Sequence, residues 1–103
     1  MKNMKSSKLK IKVFEIKGSC PVYQVGDTFY IKDGFTLTAE KELCFHSLSS
    51  LMPYYVALSR DVPAVDLGLA KSGNKAYIQC LDPCAYTGGG TVIFQITPVS
   101  ANI

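Results

Sequence analysis

This chain holds no apolar run near the roughly 20 residues that a membrane-spanning helix requires. Residues 1–12 start basic but contain no uninterrupted apolar segment, so they do not read as a signal peptide. The expected address is the cytoplasm, with no membrane partner. No G-x-S-x-G elbow occurs, which leaves acyl transfer without its usual nucleophile. The single histidine, His46, is the natural general base if one is needed near neutral pH. Internal repeats and linkers are also missing.

What is present suits one compact domain. At 103 residues the chain is too short for two domains, and folding should bury about 65% of its extended surface. Hydrophobic residues make up 48% and charged residues 18%, which is far from the composition of a disordered chain.

The net charge of +3 is unevenly distributed. Lys2, Lys5, Lys8, Lys10 and Lys12 all lie in the first twelve residues, and the remainder carries 6 basic against 8 acidic side chains. A basic start on a faintly acidic body is not the profile of a nucleic-acid-binding protein, which calls for a basic stripe interleaved with stacking aromatics. The expected partners are therefore not nucleic acids. A protein partner or self-association stays open, because the polar tips of six tyrosines, Tyr23 among them, suit a pocket rim or an interface as well as a core margin.

Hydrophobic periodicity gives the coarse architecture. Leu9, Ile11 and Val13 alternate with Lys8, Lys10 and Lys12, the period of a strand with one wet face. Phe14 and Ile16 then shift the phase by one residue, as a bulge would. Gly26-Asp27 reads as a tight turn before a second strand over residues 28–32, ended by Asp33-Gly34. Residues 36–59 give the best helical spacing, with Thr38 as N-cap and Pro53 forcing a kink or a break into two abutting helices. Asp61 and Gly68 bracket a short helical turn. Strands follow over residues 76–80 and 91–97, the last ended by Pro98. The order β-β-α-β-β predicts an α+β fold: a four-stranded antiparallel or mixed sheet with one long, kinked helix on one face. Residues 1–7 read as a flexible tail and residues 8–103 as the domain.

The chemistry rests on Cys20, Cys44, Cys80 and Cys84. In a reducing compartment these are thiols that pack in a core, bind metal or do redox chemistry. Zinc and iron–sulfur clusters take cysteine and histidine ligands, but the paired C-x-x-C spacing is missing. Within one helix Cys44 and His46 point to different sides, so both can ligate one ion only if the helix begins after them. On a straight strand Cys80 and Cys84 would stand about 13 Å apart, so only a reversal at Asp82-Pro83 could join them. Cys44 and Cys20 are the better candidates for a reactive thiol. Against these stands the plain reading that the thiols are core packing. Gly88-Gly89-Gly90 lacks the Lys-Ser/Thr and helix of a phosphate loop, and instead suggests a tight loop or a close approach to a ligand. Asp82 lies beside it, in a turn motif where a carboxylate commonly caps backbone N–H groups, as does Asp27.

Taken in order, Cys20-Pro21, Val25-Gly26-Asp27, Cys44 with His46 and Leu48, Cys80-Leu81-Asp82-Pro83, and Thr87 with Gly89-Gly90-Thr91-Val92-Ile93-Phe94 carry a resemblance over residues 9–97. The chain resembles a family of small, uncharacterised single-domain proteins of about this length from bacteria and archaea, many of them anaerobes. The resemblance implies a stand-alone domain in which Cys20, Cys44 and Cys80 are the recurring thiols and Cys84 is particular to this chain. It implies no activity, substrate or cofactor. The expected site is thus Cys20, Cys44 and Cys80 converging, with His46 as fourth ligand or base around a zinc ion or iron–sulfur cluster. Asp82 and Gly88–Gly90 would form a ligand-contacting loop. The rival expectation is a non-catalytic binding domain with structural cysteines.

Overall fold

The computed structural model describes residues 7–99. Strands β1 (Lys8–Gly18), β2 (Thr28–Lys32), β3 (Thr36–Thr38), β4 (Ala76–Gln79) and β5 (Gly90–Val99) form one antiparallel sheet in the order β3-β2-β1-β5-β4. The helical segments are short: α1 (Phe45–Leu51), α2 (Tyr55–Ser59), α3 (Cys84–Thr87) and a 3₁₀ turn (Ala64–Leu67). The fold is α+β.

The period-two pattern of β1 decides which face is covered. Leu9, Ile11 and Val13 are fully buried, and Phe94 and Ile96 of β5 lie opposite Val13 and Ile11. Phe29 and Ile31 of β2, Ala76 and Ile78 of β4, and Leu51 and Leu58 of the helices complete this inner layer. Each large side chain so buried contributes about 1.5–3 kcal/mol. The register between β1 and β5 shifts between Val13 and Glu15, so Phe14 is the extra residue of a bulge. That bulge returns Ile16 to the inner side, opposite Val92.

The expected four strands and one long helix are corrected to five strands and three short helices. Asp33 and Gly34 do not merely end β2. Both have positive φ, at 59° and 84°, and Phe35 donates its N–H to the Lys32 carbonyl at 3.0 Å. This tight turn opens a three-residue connection, Asp33 to Phe35, and starts a hairpin. Thr36–Thr38 therefore pairs with β2, and Thr38 faces Tyr30 across the sheet instead of capping a helix. The remaining helical pattern divides at Pro53, which lacks an N–H and crowds the preceding turn, so α1 ends before it and α2 follows it.

Strand β5 also runs past Pro98, which pairs with Leu9. The Cys80 N–H reaches the Val92 carbonyl, so the polar groups of Val92 and of residues in phase with it point toward β4. Pro98 is in that phase, and β4 begins opposite Ile96. The donor that Pro98 lacks would thus have met no strand. Gly68 stops the 3₁₀ turn with φ 75°, as expected, but Asp61 does not cap it. Asp61 instead accepts a hydrogen bond from Ser7 Oγ at 2.6 Å, and the Ser7 N–H reaches the Ser59 carbonyl at 2.7 Å. Of the expected tail, Ser7 is thereby held; residues 1–6, like residues 100–103, lie outside the described residues. Among the described residues no helix is long and apolar enough to cross a membrane.

Candidate functional site

The site forms where four segments meet at one end of the inner face: the β1–β2 loop, the start of α1, the end of β4 and the start of β5. Tyr23 organises it. Its ring is buried, stacks at 6.4 Å on Phe29 and meets Phe94 edge-on at 5.7 Å. Its hydroxyl accepts the Cys44 N–H at 3.1 Å and shares a hydrogen bond with Ser47 Oγ at 2.8 Å. Ser47 Oγ also donates to the Cys44 carbonyl at 2.7 Å. Tyr23 thus fastens the first turn of α1 to the sheet and satisfies a backbone donor that no helical bond can reach. Burial pushes the Tyr23 phenol up, partly offset by its hydrogen bonds with Ser47 and the Cys44 backbone.

The loop that presents Tyr23 is pinned at its far end by Asp27. One carboxylate oxygen accepts the Gln24 N–H at 2.8 Å and meets Lys41 Nζ at 2.6 Å, and Lys41 also reaches the Val22 carbonyl at 2.9 Å. Hydrogen bonds from Lys41 and then from Gln24 hold the Asp27 carboxyl below the usual range. The expected turn-capping role of Asp27 is the one observed. Lys41 ties the irregular segment before α1 to the same loop.

Around Tyr23 opens a cavity of about 380 Å³, walled mainly by carbon. Cys20, Cys44, Cys80, His46, Asp82 and Gly90 all line it, together with the apolar Pro21, Val22, Leu81 and Val92. The three thiols and the histidine expected to converge therefore share one cavity, and α1 begins at Phe45, immediately after Cys44 and before His46. Sharing a cavity is not the same as sharing an ion. Among the described residues no three His, Cys, Asp or Glu side chains form a group that could hold a metal. The zinc or iron–sulfur expectation does not fit these positions.

Each sulfur has its own local task. Cys80 is buried; its Sγ accepts the Val92 N–H at 3.2 Å and donates to the Gly90 carbonyl at 3.6 Å. Cys20 Sγ accepts the Tyr23 N–H at 3.4 Å and closes the turn through Pro21. Cys44 Sγ makes no hydrogen bond among the described residues and is half-buried. Cys84 stands apart on α3, packed toward Gly18, outside the cavity lining.

The three glycines divide as well. Gly88 ends α3 with φ 76°, where only glycine is unstrained. A Cβ on Gly89 would strike the Asp82 carboxylate, and one on Gly90 would come within 2.7 Å of Cys20 N. Of the expected ligand loop, Asp82 and Gly90 reach the cavity, and Gly88 and Gly89 do not. Asp82 accepts a short hydrogen bond from Thr87 Oγ1, whose oxygen in turn accepts the Gly89 N–H at 3.1 Å. Neither Tyr23, one of six tyrosines suited to a pocket rim, nor Ser47 was singled out for the site. Their sequence signal was positional: each lies three residues after a cavity-lining cysteine.

No protein-family model, curated protein or solved structure matches this chain. The motif resemblance over residues 9–97 thus rests on the residues that carry it.

Proposed function

We propose that this is a non-catalytic binding domain whose ligand, a small and largely apolar molecule, occupies the cavity walled by Cys20, Cys44 and Cys80. One observation carries the reading: four separate segments converge on a single open cavity of about 380 Å³ with a mainly carbon surface. That volume lies within the roughly 300–1,000 Å³ range of small-molecule sites, which are apolar with a few convergent polar groups. Here those groups are the Cys44 thiol, the His46 imidazole and the Asp82 carboxylate. Cys20 and Cys80 spend their sulfurs on backbone N–H groups, as wall-forming thiols would. A metal site is the weaker reading, because no group of three ligands forms among the described residues.

The test is an NMR titration with indole-sized aromatic and aliphatic probes. Amide shifts should concentrate at Val22–Tyr23, Cys44–Ser47 and Leu81–Asp82. Capping Cys44 with N-ethylmaleimide should abolish them. Shifts that are absent for every probe, or that survive the capping, would remove this cavity as the binding site.

A further inference from the structure

The outer face of the sheet carries a second, independent feature. The alternation that buries Leu9, Ile11 and Val13 sends Lys8, Lys10 and Lys12 to the opposite side. Register extends that row across the sheet. Lys10 lies opposite Tyr30 on one side and Thr97 on the other, and Lys12 lies opposite Thr28 and Gln95. Gln95 in turn pairs with Tyr77 of β4. Lys32 shares the phase of Tyr30 on β2. The bulge turns Phe14 out beside Tyr77, ring centroids 5.4 Å apart, and these two side chains stay 45% and 40% exposed.

We infer that this face binds single-stranded RNA. Charge complementarity joined to stacking chemistry selects that occupant. Lys8, Lys10, Lys12 and Lys32 make no ion pair among the described residues. Glu15, at the far side of the bulge, is the one carboxylate among the β1 and β2 positions of this face. A field of one sign on an open sheet attracts a polyanion. Tyr30 and Tyr77 sit three strand spacings apart and two residues offset along the strands, about 16 Å in all, a platform on which more than one unstacked base can lie. Lys8 Nζ lies over the Tyr30 ring, 4.7 Å from its centroid, so a base stacking on that face would displace the ammonium toward the adjoining phosphate. Gln95 donates through Nε2 to the Tyr77 hydroxyl at 3.0 Å and keeps its carbonyl oxygen for a 2′-hydroxyl. A basic start on a faintly acidic body argued against a nucleic acid. The quantity that matters is charge per face, and the strand period sorts the lysines onto one. The separated aromatics, with Thr97 and Gln95 between the lysines, favour bases over a lipid surface, which would select a contiguous apolar wedge.

Fluorescence anisotropy of the full chain with a labelled, mixed-sequence RNA of about 12 nucleotides tests this. Affinity should fall steeply between about 50 and 200 mM salt. Tyr30→Ala and Tyr77→Ala should each weaken binding by about tenfold, and Lys10→Gln and Lys12→Gln should each reduce the salt slope by about 0.7. Amide shifts of the unmodified protein with the same RNA should map to β1, β2 and β4, which keeps the test independent of whether any variant folds. The inference is overturned if single-stranded DNA or duplex RNA of the same sequence binds as tightly. It is also overturned if phosphatidylserine vesicles bind and the RNA does not. Loss of RNA affinity in Lys2→Gln/Lys5→Gln, with no loss in the face variants, would overturn it too.

Discussion

The Cys80 sulfur accepts the Val92 N–H at 3.2 Å where β4 ends. The Cys80 N–H still makes a ladder bond to the Val92 carbonyl at 2.8 Å, but the reciprocal donor finds a thiol in place of a carbonyl. The side chain thus finishes the ladder that the backbone leaves.

Cys80→Ala removes that acceptor inside the core and leaves the Val92 N–H unpaired. An unsatisfied buried donor costs about 1–3 kcal/mol, and the lost sulfur adds a small cavity term. Urea unfolding should show a lowered midpoint with an unchanged slope. Cys80→Ser keeps an acceptor at that position and should recover part of the loss. Cys44→Ala, whose sulfur bonds to nothing among the described residues, should cost less than Cys80→Ala. Equal losses at the two positions would show that the sulfur's hydrogen bond carries no stability.

Tyr23 makes a pH prediction. Burial raises its phenol above the ordinary 10.0. The folded protein therefore holds this proton more tightly than the unfolded chain does. The resulting stability is fully present below pH 10 and is lost progressively as pH rises from there through the folded value. Tyr23→Phe should lose this alkaline dependence. It also strips the Cys44 N–H of its acceptor, at about 1–2 kcal/mol near neutral pH. Chemical unfolding of both proteins at a series of pH values checks the two effects together. If the variant shows the same fall above pH 10, another group is responsible.

Much of the sheet was legible because its signals are local. The alternation in β1, the slip at Phe14 and the β2 boundaries each follow from a few adjacent residues. The hairpin into β3 was also written locally, in Asp33-Gly34, but strong helical spacing downstream masked it. β3 has only three residues, too few for periodicity to compete. Its existence depends on pairing with β2, a tertiary contact. The same holds for the site. Cysteine positions pointed to a shared location, and the cavity brings Cys20, Cys44 and Cys80 to it. What each sulfur does there depends on neighbouring backbone: Val92 for Cys80, Tyr23 for Cys20. No spacing in the chain encodes those partners. The alternation placed Lys8, Lys10 and Lys12 on one wet face of β1, but only strand pairing sets Tyr30, Gln95 and Tyr77 beside them.

Gly89 and Gly90 separate space from backbone freedom. A Cβ at Gly90 would meet Cys20 N and Ser19 C, both at 2.7 Å, and backbone atoms there cannot swing aside. At Gly89 the nearest obstacle is the Asp82 side chain, which can rotate away at the loss of its Thr87 hydrogen bond. Gly90→Ala should therefore cost several kcal/mol, at the level of overpacking of about 1–3 or beyond. Gly89→Ala should cost less and should change the cavity lining at Asp82. Thermal unfolding ranks the two, and the opposite order would show that the β1–β5 end is looser than this packing implies.

Thiol accessibility gives the sharpest single readout on the site. Cys80 is 6% exposed and bonded to Val92, so its alkylation waits for local opening. Cys20 is partly exposed but holds the Tyr23 N–H, and modification must break that turn. Cys44 is partly exposed, borders the cavity and has no hydrogen bond to give up among the described residues. Iodoacetamide under native conditions, followed by peptide mass mapping, should therefore modify Cys44 before Cys20 and Cys20 before Cys80. A chelator present during the reaction should leave that order unchanged, because no three ligand side chains gather there to be unmasked. If chelation instead accelerates all three thiols together, they share an ion, and the cavity is a metal site after all.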